Sequence, residues 1–142
     1  MAWQTPKTDW SVHYDDNGDY TGDFFNASDF NRIGENLSYL ADEAKSLQMH
    51  PSMPDIPTLT YEDFGKASHI NSLERGIDAL LAAGIVNTGV PATKTWLANS
   101  AAPLYTDINR LESSCAILKG SMDSEKENQP KLAFDLGKVV HF

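Results

Sequence analysis

A mainly α-helical fold, a small three-helix bundle with a short β-hairpin arm at its N-terminus and an extended or β tail at its C-terminus, is predicted by three features of this sequence. One six-residue signature is used three times: Ser28-Asp29-Phe30-Asn31-Arg32-Ile33, Ser68-His69-Ile70-Asn71-Ser72-Leu73 and Thr106-Asp107-Ile108-Asn109-Arg110-Leu111. Behind each copy the apolar residues recur at helical spacing. Between copies lie connectors that join a proline, threonines and an aromatic residue. The asparagine anchors are 40 and 38 residues apart, a period in the range of array-type repeats.

Residues 1–24 form an aromatic, acidic arm. Val12-His13-Tyr14-Asp15 and Asp19-Tyr20-Thr21 flank Asp16-Asn17-Gly18, and Asn-Gly between short β-prone runs signals a hairpin. Asp15, Asn17 and Asp19 also alternate like the start of a calcium loop. Such a loop needs Gly at its sixth position and Glu at its twelfth, where this chain has Tyr20 and Asn26, so the hairpin is expected and no metal site.

The bundle is expected over residues 25–122, with helices at about 28–48, 68–84 and 104–121. Ser28, Ser68 and Thr106 open the three signatures, and hydroxyl residues are favoured N-caps because their oxygen accepts from an unpaired amide one turn ahead. Asn31, Asn71 and Asn109 fall where a capping box carries Glu or Gln. They are expected to act as shorter-reaching cap residues; the competing reading places them with Arg32 and Arg110 on a partner surface. Pairing with a nearby carboxylate is the simpler role for the two arginines. Asp29 and Asp107 suit the positive end of a helix dipole.

The apolar stripes run Phe30, Ile33, Leu37, Leu40, Ala44, Leu47; then Ile70, Leu73, Ile77, Leu80; then Ile108, Leu111, Cys115, Leu118, Met122. Each marks one narrow seam on one side of a helix, and three seams in one chain predict a bundle. Gly84 and Gly120 stand where C-terminal caps would fall. Pro51 and Pro54 end the first helix after Met49.

The connectors echo one another in Pro6-Lys7-Thr8-Asp9-Trp10, Pro57-Thr58-Leu59-Thr60-Tyr61 and Pro91-Ala92-Thr93-Lys94-Thr95-Trp96. Their aromatics are expected to act as lids on the bundle, and Thr58–Tyr61 as a short strand. Residues 123–142 read as a polar linker and an extended tail, which must pair with the N-terminal hairpin or another subunit because an exposed edge invites aggregation.

One domain with arms suits 142 residues, and the single cysteine, Cys115, leaves no internal disulfide. A net charge of −9 argues against direct binding to nucleic acid. No signal peptide or membrane span is expected. The sequence contains no phosphate loop, zinc spacing or nucleophile elbow, and His13, His50, His69 and His141 are scattered. No enzymatic activity, catalytic residue, metal or cofactor is expected.

Trp3-Gln4-Thr5-Pro6-Lys7-Thr8-Asp9-Trp10, Asp23-Phe24-Phe25-Asn26, Asp29-Phe30-Asn31-Arg32-Ile33, Asn36-Leu37 and Tyr39-Leu40 together resemble a segment of virion structural proteins, the tail, baseplate and fibre components of tailed phages and prophages of Gram-positive bacteria. The resemblance covers roughly the first fifty residues. It implies a structural adaptor or connector in the tail, baseplate or neck, made in the host cytoplasm, a homo-oligomer in the particle with other virion proteins as partners. The interface is expected at the aromatic and apolar ends: Trp3, Trp10, Tyr14, Phe134, Val139, Val140 and Phe142. A rival of another class is an acidic, phage-encoded inhibitor that imitates nucleic acid and blocks a host protein.

Overall fold

The computed structural model describes residues 3–63, 66–85, 89–99 and 102–140, with side chains described through Glu127. The fold is mainly helical: α1 is Ala27–Ser46, α2 is Ala67–Ala82 and α3 is Tyr105–Val140. Around Asp16–Gly18 the arm reverses, and its Tyr14–Tyr20 antiparallel bridge is the one β contact among the described residues.

The helices begin earlier than the hydroxyl residues suggest. Asn26, not Ser28, caps α1: its Oδ1 accepts from the amides of Ser28 and Asp29, and Asp29 accepts from the Asn26 amide at 3.1 Å. An acceptor placed two residues upstream of Ser28 thus completes a capping box with an aspartate as its return partner. Lys66 precedes α2 without a side-chain cap bond, and Asp107 accepts from the Leu104 amide at 3.0 Å ahead of α3. Ser28, Ser68 and Thr106 therefore lie inside the first turn. Asn31, Asn71 and Asn109 each fall on the fifth helical residue, too far along to cap anything.

The predicted seams form the core. Phe30, Ile33, Leu37, Leu40, Leu73, Ile77, Leu80, Leu111, Leu118 and Met122 are fully buried, and Ile70 and Ile108 nearly so; each such side chain stabilises the fold by roughly 1.5–3 kcal/mol relative to exposure. Leu59, Ile85, Val90 and Trp10, from the segments between and before the helices, join the same cluster.

The three helices run parallel. Arg32, sixth in α1, reaches Glu112, eighth in α3; Arg110, sixth in α3, reaches Glu74, eighth in α2. A Cβ on Gly34, eighth in α1, would stand 3.8 Å from Leu73, seventh in α2. Residues of equal depth meet in all three pairs, so every connector must travel back along the bundle before the next helix starts. α1 spans about 30 Å at about 1.5 Å per residue, a distance that the proline-bearing stretch 49–60, with the residues on either side of it, covers with length to spare at about 3.3 Å per residue. Thr58–Tyr61 lies in this connector without forming a strand.

α3 departs from expectation at its far end. Rather than stopping near residue 121 and giving way to a linker and an extended tail, it continues to Val140. Glu125, Lys126, Glu127 and Gln129 are good helix formers. Leu132, Leu136 and Val139 recur at spacings of four and three, which a helix accommodates as readily as a β reading does. Gly120 consequently sits inside α3, while Gly84, with φ +111°, does follow the end of α2 in the left-handed conformation of a C-terminal cap. Residues 141 and 142 lie outside the described residues.

Candidate functional site

The repeated asparagines hold the returning segments against the helices. Asn31 accepts from the Leu59 amide at 2.8 Å and donates to the Leu59 carbonyl at 2.9 Å. Asn71 treats Trp96 in the same way at 2.7 and 2.8 Å, and Asn109 treats Trp10 at 2.8 and 3.0 Å. A carboxamide carries the same donor and acceptor as a peptide unit, so each asparagine satisfies both main-chain groups of one extended residue that has no strand neighbour. Asn36 repeats the device on Gln4, with both bonds at 2.8 Å.

The order of docking is cyclic. The segment before α2 is clamped to α1, the segment before α3 to α2, and the segment before α1 to α3. The chain is thus a closed ring of three units, each an extended strap followed by a helix. In this register Leu59 is the counterpart of Trp10 and Trp96, which corrects the echo drawn at Tyr61; Tyr61 is 89% exposed.

Three residues beyond Asn71 and Asn109 stand Glu74 and Glu112, both 0% exposed. Glu112 accepts from the Trp10 indole at 2.6 Å and from Arg32 at 2.9 and 2.7 Å. Glu74 accepts from the Trp96 indole at 2.9 Å and from Arg110 through two bonds of 2.6 Å. Two buried carboxylates are therefore met by a fork of guanidinium donors and an indole, the arrangement that makes charge burial tolerable. At the third junction the corresponding residues are Leu59, Gly34 and Ser72. With no indole to satisfy, no carboxylate is present, and Ile56 fills the space beside Gly34, where an added Cβ would lie only 2.9 Å from its Cγ2.

Local electrostatics follow from these partners. Glu112 raises the Arg32 guanidinium above its ordinary value against the opposing effect of burial, and Glu74 does the same for Arg110. Burial works to raise the Asp107 carboxyl, but Lys94 at 2.7 Å, the Leu104 amide and Arg110 together hold it below its usual value. Burial, reinforced by Glu112, pushes the Cys115 thiol up to about 12, so it is a core thiol in an unreactive state.

Trp10, expected at a partner interface, is 5% exposed and belongs to the core, because its indole and its main chain are both engaged by α3. Trp3 is half-buried against Tyr39 at 5.8 Å between ring centroids. Tyr14 is exposed. Phe134, Val139 and Val140 lie on α3 with side chains outside the described residues, and Phe142 is outside them altogether. Asp15 accepts from the amides of Asn17 and Asp19, both at 2.9 Å, and so braces the turn. Among the described residues no helix is long and apolar enough to cross a membrane. No family model, curated protein or solved structure matches the chain.

A surface of different character lies where the straps turn into helices. Residues 11–26, 60–63 with Lys66, and 97–99 with 102–104 lie between a clamped residue at the fifth-residue level and the start of a helix, so these described loop residues occupy the same end of the parallel bundle. The large apolar side chains exposed among the described residues, Val12, Tyr14, Phe24, Tyr61, Leu97, Leu104 and Tyr105, belong to these loops or to the first residue of α3. Sequence reasoning placed only Tyr14 of this group at an interface.

Proposed function

We propose that the protein is a structural component of a tailed-phage virion, an adaptor or connector in the tail, baseplate or neck that docks larger parts such as fibres. The observation that supports this reading best is the use made of the residues that carry the resemblance. Gln4 is bound by Asn36, Trp10 by Asn109 and Glu112, and Arg32 bridges to Glu112. The segment that carries the resemblance is therefore a lock that ties an N-terminal strap across two helices. A lock of this kind supplies rigidity, the property that a part transmitting position between larger bodies needs.

In this reading the reversal at Asp16–Gly18 is the tip of a short β-hairpin arm, several copies assemble around the particle axis as cyclic oligomers do, and Phe134, Val139, Val140 and Phe142 contribute to contacts with neighbours. Mass spectrometry of purified particles, with an image of the particle at side-chain detail, tests it. The protein is expected in stoichiometric amounts in the tail, baseplate or neck; particles without it would overturn the proposal. Capture of a host nuclease or polymerase by the purified protein would favour the acidic inhibitor instead.

A further inference from the structure

We infer that the loop end of the bundle is a docking surface for a protein that presents basic residues around an apolar patch. Single exposed apolar side chains are ordinary on a protein surface, but a group confined to one end is a mark of association. Here three loops far apart in sequence place theirs at the same end of the bundle, and the arm's aromatics are already ordered by contact with one another: Tyr14 meets Tyr20 at 5.4 Å and Tyr20 meets Phe24 at 4.8 Å between ring centroids. Ordered aromatics lose little conformational freedom on binding, which is why such side chains dominate interface energetics.

Charge selects the occupant. The three loops carry Asp15, Asp16, Asp19, Asp23, Glu62 and Asp63 against one lysine, Lys66, and no arginine. Lys7, 3.6 Å from Asp23, offsets a single member of this set. Two copies meeting through this end would bring like charges together, a costly arrangement at an interface, so a second copy of the chain is not the occupant. A surface of lysines or arginines around apolar side chains satisfies both halves of the pattern. The loops differ in length and in the residues they expose, so the end is asymmetric and favours one partner in one orientation.

The test uses the full chain, isotope-labelled for amide NMR and titrated with a designed amphipathic helical peptide of Lys, Leu and Trp. The control peptide keeps the apolar residues and replaces every Lys with Glu. Shifts are expected at residues 11–24, 60–63 and 102–105 with the basic peptide only, weakening about tenfold from low to physiological salt as exposed charge pairs are screened. The variant Tyr14→Ser, Tyr61→Ser, Leu97→Ser alters exposed side chains and is expected to keep its helical circular dichroism while losing most of the shifts. Equal binding of the acidic peptide, shifts on another face, or no shifts at the highest soluble peptide concentration would overturn the inference. So would concentration-dependent shifts of the same loop amides in the protein alone.

Discussion

Asn109 does with one side chain what a neighbouring strand does with a backbone: it answers both polar groups of Trp10. Replacing it with Ala leaves a buried N–H and C=O without partners, so Asn109→Ala is expected to lose about 1–3 kcal/mol, within the range for an unsatisfied buried group. Asn109→Asp keeps the acceptor but turns an oxygen toward the Trp10 carbonyl, and should recover none of that loss. Urea unfolding of the two variants checks this; a fully stable Asp variant would contradict the clamp. Asp107 gives a pH-dependent counterpart. Its carboxyl is held below its ordinary value, so the stability it contributes is present above the unfolded value and disappears as pH falls through the folded one. Lys94→Met should therefore lower the urea midpoint at neutral pH, and the gap from the parent should close in acid. Cys115, buried with its thiol pushed up to about 12, should resist a thiol reagent at neutral pH in the folded protein and react at once in denaturant.

At the scale of elements, the three strap–helix junctions form a comparison within one chain. Two use Trp, Glu and Arg; the third uses Leu59, Gly34 and Ser72, with Ile56 packed into the space. Glu112→Gly alone strands Arg32 and the Trp10 indole and should lose about 3–5 kcal/mol, the range for breaking a buried pair. Combining it with Lys7→Ile, Trp10→Leu and Arg32→Ser copies the third junction onto the first, because Lys7 stands where Ile56 stands relative to the clamped residue. The fourfold variant is expected to unfold at higher urea than Glu112→Gly. A lower midpoint would show that the junctions are not interchangeable.

The seams were legible because burial acts on spacing, and a 3.6-residue period survives in any sequence that packs helices. The clamps were not, because an Asn in the first turns of a helix has a local partner to propose, the cap, and no local sign of one 99 residues away. A signal existed nonetheless: three residues after each Asn the chain reads Gly34, Glu74 and Glu112, in step with Leu59, Trp96 and Trp10. The parallel arrangement was written in connector length, since short links join antiparallel neighbours and long ones allow a return. The far part of α3 is hard to read from the chain because apolar residues at spacings of four and three follow a polar stretch ending in Pro130, where a proline signals a break and the helix formers before it signal continuation.

For the whole molecule, closure by the first strap fixes the timing of biosynthesis. Trp10 leaves the ribosome before the helix that receives it has been made, so the ring stays open while roughly a hundred residues are added, a wait of about 5–20 s at about 5–20 residues per second. Through that interval the aromatic strap and the unclosed groove are exposed to chaperones and to other nascent chains, and a neighbouring copy's strap could enter the groove before its own does.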